Sequence, residues 1–257
     1  MSNSGVALIT GSSRGIGRAI AEQLAAAGFS IALNAPQEDD ELHESKCALQ
    51  KFDVPVFLAP FDIGDIECHD QKLKEIETAL GSLTTFVNNA GVGAMKRGDV
   101  LDVTEASFDR CIAINAKALF FLTQRFCRRL LSRERTDSIY HSIVNITSAN
   151  AVAASDTRAE YCASKSAASM ITRTFATRLG RENIAVFDVQ PGLIETSLTA
   201  PVIEKYKEMA SEGFCLMPRL GQPEDVGKVV AALALGQMPY VTGQTISVDG
   251  GMLVPRF

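Results

Sequence analysis

The stretch Val6-Ala7-Leu8-Ile9-Thr10-Gly11-Ser12-Ser13-Arg14-Gly15-Ile16-Gly17 decides how this chain is read. Its apolar start predicts a short strand over 6–10. An alanine- and leucine-rich helix follows over 15–27, and the glycines fall on the turn between them. Gly11 permits the tight turn, Gly15 lets backbone approach a pyrophosphate, and Gly17 allows the helix to pack closely. The helix amino terminus adds N–H donors and the positive end of its dipole. Three glycines alone are weak evidence. Their place between a strand and a helix is what binding a dinucleotide requires.

The same alternation continues outward from this turn. Short apolar runs at 30–34, 56–59, 85–88, 142–147, 185–189 and 245–248 read as further strands, and amphipathic stretches at 40–51, 65–80, 104–132, 160–180 and 223–235 read as helices. Strands that are apolar almost throughout suit a sheet covered on both faces. The expected architecture is α/β: a single-domain Rossmann fold over 1–257, with a doubly wound, seven-stranded parallel sheet and helices on both faces. Its ligand crevice would lie beyond the carboxyl ends of the strands. Two segments break the rhythm. The polar stretch 133–141 reads as a surface loop. The stretch 197–219, with Val202, Ile203, Tyr206 and Met209 on one helical face, reads as a lid over a substrate.

Bulk properties narrow the function. The 257 residues are 46% hydrophobic and 21% charged, with a formal net charge of -5. An acidic balance argues against a general nucleic-acid or anionic-membrane surface. The six cysteines are scattered, without C-x-x-C pairs or histidines at ligand spacing, so they read as reduced, mostly buried thiols with no metal site. No apolar run reaches transmembrane length, and the start shows no basic region followed by a hydrophobic stretch. A cytoplasmic protein acting on small molecules is expected. His43, His69 and His141 read as surface residues.

A second constellation carries chemistry. Tyr161-Cys162-Ala163-Ser164-Lys165 opens a helix, so the phenol and the ammonium lie on one face at i and i+4. Reducing a carbonyl takes one hydride and one proton. A phenol beside a lysine can carry the proton if its pKa is brought toward neutrality, which the neighbouring charge favours. Ser148, after the fifth strand, stands thirteen residues before Tyr161, with Thr147 as its rival.

The spacing G-x-x-x-G-x-G, the run Asn88-Asn89-Ala90-Gly91, the Tyr161/Lys165 pair with Ser148, and Asn115 in Ile114-Asn115-Ala116 together resemble the short-chain dehydrogenase/reductase family from Val6 to Met252. The resemblance implies a catalytic set of Asn115, Ser148, Tyr161 and Lys165. Asn115 keeps a bend in its helix and a water in the proton relay, Ser148 binds the substrate carbonyl, Tyr161 is the general acid or base, and Lys165 also holds the nicotinamide ribose. It implies a cofactor site of Gly11, Ser13, Arg14, Gly15, Ile16, Gly17, Asp62 at the adenine, Asn89, Ala90, Gly91, Tyr161, Lys165, Pro191, Gly192, Ile194 and Thr196.

Where NAD-preferring relatives carry an acid at the end of the second strand, this chain has Ala35. Arg14 can meet a 2′-phosphate, so NADP is expected ahead of NAD, although no second arginine stands near Pro36. The chain as a whole is similar to bacterial 3-oxoacyl-acyl-carrier-protein reductases, whose core motifs many sugar, polyol and small-ketone enzymes share. The resemblance leaves open sugar, polyol and other small polar carbonyl substrates and, outside enzymes, a non-catalytic nucleotide sensor. Arg128, Arg129, Arg173 and Arg178 are candidates for a patch facing an acidic carrier protein. A homotetramer is implied, paired through helices 104–132 and 160–180 and completed by the carboxyl-terminal strand.

Overall fold

The computed structural model describes residues 5–135, 139–197 and 199–256. Part of the 133–141 loop, part of the amino-terminal start and one lid position, Leu198, lie outside the described residues. The strands are β1 (Val6–Ile9), β2 (Ser30–Leu33), β3 (Val56–Leu58), β4 (Thr85–Asn88), β5 (His141–Ile146), β6 (Ile184–Pro191) and β7 (Thr245–Val248). They form one seven-stranded sheet in the order β3-β2-β1-β4-β5-β6-β7, with every pairing parallel. The order reverses between β1 and β4, and such a reversal opens a crevice at the carboxyl ends of the strands.

Side-chain alternation builds a core on each face. Ala7, Ile9, Ile31, Leu33, Val87, Val144, Phe187 and Val189 point to one side, where they meet Ile20 and Leu24 of α1 (Gly15–Ala26) and Val226, Val230 and Leu233 of α8 (Pro223–Ala234). Val6, Leu8, Phe86, Ile143 and Val186 point to the other. There they meet Leu73 and Ile76 of α3 (His69–Leu80), Leu122 and Phe126 of α5 (Leu119–Leu131), and Leu179 of α6 (Ala159–Leu179). Period-two strands that are apolar on both faces therefore account for the two-sided cover.

Caps set several helix starts. Asp39 accepts from the Leu42 amide at 2.9 Å before α2 (Asp40–Leu49), and Thr104 accepts from Ser107 before α4 (Glu105–Ile112). Gln222 and Asp225 form a reciprocal capping box, with Pro223 in the first turn of α8.

The structure corrects three readings. The expected helix 104–132 is one unbroken helical run over 105–131 but not one α-helix, because a π-helical turn over Ala113–Ala118 joins α4 to α5 at Asn115, where the bend was expected. His69 and His141 are not surface residues. His69 is fully buried, with Nε2 2.8 Å from the Ile63 carbonyl, and His141 is buried at the start of β5. Burial pulls both imidazoles down from their ordinary pKa, so both are neutral parts of the core. Among the cysteines, all free, Cys111, Cys127 and Cys215 are buried but Cys47 is exposed, so the thiols are less uniformly buried than expected.

The 197–219 stretch contains α7 (Ile203–Ser211) and a small core of its own, made by Leu193, Tyr206, Ala210, Cys215 and Leu220. Its Tyr206 hydroxyl accepts from Arg97 Nη1 at 2.9 Å, which ties the segment to the loop after β4.

Candidate active site

At the carboxyl end of β1 the backbone turns through Gly11 and Gly15, both with positive φ. Only glycine adopts that backbone without strain. The turn is tight as well as curved. A Cβ on Gly11 would lie 2.9 Å from Ala90 Cα, and one on Gly17 would lie 2.1 Å from the Gly11 carbonyl oxygen. Asn89 clips the turn, with its side-chain amide donating to the carbonyls of Thr10 (2.9 Å) and Gly11 (2.8 Å). No side chain caps α1 and no acid occupies its first turn. Its amino end is thus built to take an anion. The glycine cradle, the uncapped helix and Thr196, whose methyl lies 3.6 Å from a Cβ placed on Gly15, fit a dinucleotide pyrophosphate.

The other wall comes from β6. Pro191 ends the strand, and the Gly192 amide donates to Val248 at 3.0 Å. Gly192 packs so closely on Asp249 that a Cβ would come within 2.7 Å. Ile194 is buried and pairs with Gly221. In the turn, Ser13 and Ile16 are half-buried, and the Ser13 carbonyl accepts from Ser45 Oγ at 2.7 Å. Asp62 is exposed past β3, where its carboxylate caps its own turn at the Gly64 amide, 2.8 Å away.

The sequence candidates for chemistry converge beside this crevice. Ser148 lies close enough to Tyr161 to influence its phenol, while its own Oγ accepts from the Asn150 amide at 3.1 Å. Lys165 Nζ lies 5.8 Å from the Tyr161 ring centre and donates to the Ile146 carbonyl at 3.0 Å. Asn115, buried in the π turn, accepts from the Val92 amide and donates to the Val92 carbonyl, each at 2.8 Å, and donates to Ser164 Oγ at 2.9 Å. The wider turn of the helix aims this side chain at both the loop after β4 and α6. Gly91 sits between them, and a Cβ there would come within 3.0 Å of Asn115 Oδ1 and 3.3 Å of Lys165 Nζ. Thr147, the rival of Ser148, turns away and donates to Asp188.

The electrostatics differ from the expected lowering of the phenol. Burial pushes the Tyr161 pKa up, against the neighbouring Ser148 hydroxyl and Arg158, which pull it down. Burial also lowers Lys165 to about 8, with Asp188 opposing the fall. A raised phenol stays protonated at neutral pH, the form that can donate to a carbonyl oxygen.

Other expectations fare differently. The Arg14 guanidinium forks onto Glu41 of α2, at 2.9 and 3.0 Å, a partner the sequence reading did not name. Arg129 is paired with Glu77 and Arg178 with Glu182, so two members of the candidate basic patch are already neutralised. Among the described residues no cluster of His, Cys, Asp and Glu is arranged to hold a metal, and no helix is long and apolar enough to cross a membrane.

Known proteins carry the same design. A family model described as Enoyl-(Acyl carrier protein) reductase matches residues 11–253. A 3-oxoacyl-[acyl-carrier-protein] reductase of Staphylococcus epidermidis is 32% identical, over 96% of this chain and 98% of that one. The crystal structure of a 3-oxoacyl-[acyl-carrier protein] reductase from Brucella melitensis in complex with NAD superposes with a TM-score of 0.94 at 35% identity, covering 98% of both chains. A proposed 2-deoxy-D-gluconate 3-dehydrogenase from Agrobacterium tumefaciens, with bound NADP, superposes at 0.86 and 27% identity, covering 99% of this chain and 98% of that one. The chain belongs to the short-chain dehydrogenase/reductase family of oxidoreductases.

Proposed function

We propose that the protein reduces the ketone of a 3-oxoacyl thioester, with Tyr161 donating the proton and NADPH as the preferred cofactor. The observation that carries this reading is Tyr161 with Lys165 Nζ 5.8 Å from its ring and Ser148 alongside, beside a glycine cradle that fits a dinucleotide. The acyl class comes from the named activity of the reductases to which the chain is similar.

The residues divide the work. Gly11, Ser13, Gly15, Ile16, Gly17 and Thr196 would hold the pyrophosphate and adenosine end with Asp62, while Ala90, Gly91, Pro191, Gly192 and Ile194 would line the nicotinamide end. Asn89 serves the cradle by fixing its turn. When bound, the reduced nicotinamide supplies the hydride. Ser148 orients the carbonyl oxygen, Tyr161 gives that oxygen its proton, and Lys165 supplies positive charge behind the phenol. Asn115 ties the loop after β4 to α6 and so fixes the helix that carries Tyr161 and Lys165. The segment around α7 acts as the lid, and its Arg97–Tyr206 contact is the latch. Incubating the protein with NADPH and acetoacetyl-CoA tests the reading. Loss of NADPH absorbance matched by a 3-hydroxyacyl product supports it. Activity confined to sugars and polyols would overturn the acyl class.

Cofactor choice follows from charge. Arg14 and Glu41 are both largely exposed, and an exposed ion pair is worth about 0–1 kcal/mol. A charge-assisted bond to a 2′-phosphate is worth about 1.5–3 kcal/mol, so the phosphate displaces Glu41 and leaves a modest preference. NADPH should exceed NADH in kcat/KM by roughly tenfold. Arg14→Ala should erase the difference, whereas Glu41→Gln should widen it by releasing Arg14. Ala35→Asp should favour NADH, at some cost in stability because Ala35 is buried. A wild-type preference for NADH would contradict the assignment of Arg14.

The same reading gives a homotetramer. Phe108 of α4 and Met170 of α6 are exposed, on the helices that would pair across a two-fold axis, and β7 is an edge strand on which Thr245 and Ser247 are exposed. Light scattering should report four chains. A stable monomer at micromolar concentration would refute the pairing.

A further inference from the structure

We propose that Asp188, on β6, is a positioning residue for Lys165: its carboxylate, fixed inside the protein, keeps the lysine ammonium charged behind Tyr161. The inference rests on the assignment of Tyr161 and Lys165 above. Asp188 is 1% exposed, in the otherwise uncharged strand Ile184–Pro191. A charge in such a place needs a reason, because burying an unpaired carboxylate is costly.

Four neutral side chains hold it from three elements and the end of β5. Thr147 Oγ1, just past β5, donates to Oδ1. Oδ2 accepts from Ser169 Oγ of α6 at 2.6 Å, from Gln190 Nε2 of β6 at 2.9 Å and from Thr245 Oγ1 of β7 at 3.2 Å. These donors fix the carboxylate but leave its charge unbalanced. None of the ion pairs found among the described residues includes Asp188.

The geometry selects Lys165 as the balancing cation. Ser169 lies four residues beyond Lys165 on α6, so both side chains leave the same face of the helix, toward the ends of β5 and β6. Lys165 Nζ is anchored on the Ile146 carbonyl, and Ile146 pairs with Val189, next to Asp188. The two groups therefore lie on the same side of neighbouring strand ends, beyond ion-pair contact, in a dry interior where opposite charge acts strongly. The other titratable groups around Lys165 are Tyr161 on its own helix and Cys111 from α4. Neither carries charge at neutral pH, and burial raises both. Burial draws Lys165 down to about 8, and Asp188 is the main influence holding it up. An acid inside the β6 run was visible in the sequence, but only the fold shows that it faces the lysine.

The sign of the test follows. Removing the negative charge lets burial win, so Lys165 loses its proton at lower pH and the alkaline fall in reduction rate moves down with it. The test uses the full chain with ¹³C-labelled lysine, following the Cε resonance that disappears in Lys165→Met. In Asp188→Asn its titration should move down by about one pH unit, and the alkaline limb of NADPH-dependent reduction should move with it. Asp188→Thr, which suits a strand and keeps one hydroxyl in the cluster, carries the same expectation if the asparagine variant folds poorly. Ser169→Ala removes a hydrogen bond but no charge, so it should lower the melting temperature and leave the titration in place. A purely structural Asp188 would lower melting in all three variants with no displacement of the Lys165 resonance, and that result overturns the proposal. The resonance needs no substrate, so it stands apart from the site assignment, which fails only if Tyr161→Phe and Lys165→Met keep their turnover.

Discussion

Tyr161→Phe should lose nearly all turnover while keeping its fold and its cofactor. The substitution removes one hydroxyl and leaves the ring, which packs beside Arg158 and Lys165 at 5.8 Å from each. Its structural cost is at most about one hydrogen bond, or roughly 0.5–1.5 kcal/mol. Its chemical cost is far larger. General acid catalysis by a placed group contributes roughly a hundred- to ten-thousandfold, and the raised pKa of this half-buried phenol means the group being deleted holds its proton at neutral pH. NADPH should still bind, because the glycine cradle lies on a different element. Rates and a fluorescence titration on the same preparation read both quantities. A variant that turns over at a wild-type rate would remove Tyr161 from the mechanism.

Gly17→Ala should have the largest effect on binding. Within a helix, alanine in place of glycine usually gains about 1 kcal/mol. Here the added methyl would sit 2.1 Å from the Gly11 carbonyl oxygen and 2.5 Å from Asn89 Nδ2, so α1 must move away from the turn it supports. Overpacking of this kind costs about 1–3 kcal/mol, and the displaced backbone no longer presents its N–H groups to the pyrophosphate. NADPH affinity should fall by more than tenfold, with a lower melting temperature. Gly180 is the internal control, since a Cβ there meets nothing within 4 Å. Gly180→Ala should be neutral or stabilising by up to about 1 kcal/mol. Equal behaviour of the two variants would show that the cradle does not depend on close packing at Gly17.

Much of this design is local, and local patterns were readable. The glycine turn needs only a strand before it and a helix after it. Tyr161 and Lys165 need only one helix, and the apolar strand runs predict a sheet covered on both faces. What escaped depends on contacts between distant segments. The π turn at Ala113–Ala118 has no composition of its own; it is held open by Asn115 bonding to Val92 and Ser164. Arg14 looked free for a phosphate because Glu41 is remote in sequence. His69 and His141 looked solvated because a polar residue type says little about burial when one carbonyl or a strand start can accommodate it. The phenol was expected to fall because a lysine lies one turn away. In the fold that lysine turns to Ile146, and burial dominates.

The most direct test of the central claim is isotope transfer. NADPH carrying deuterium at the reactive nicotinamide carbon is mixed with acetoacetyl-CoA and wild-type protein, and in parallel with Tyr161→Phe under conditions where both bind cofactor. The account predicts deuterium on the new carbinol carbon with wild type, and transfer slowed by at least roughly a hundredfold with the variant. Deuterium transfer at equal rates by the two proteins would contradict it.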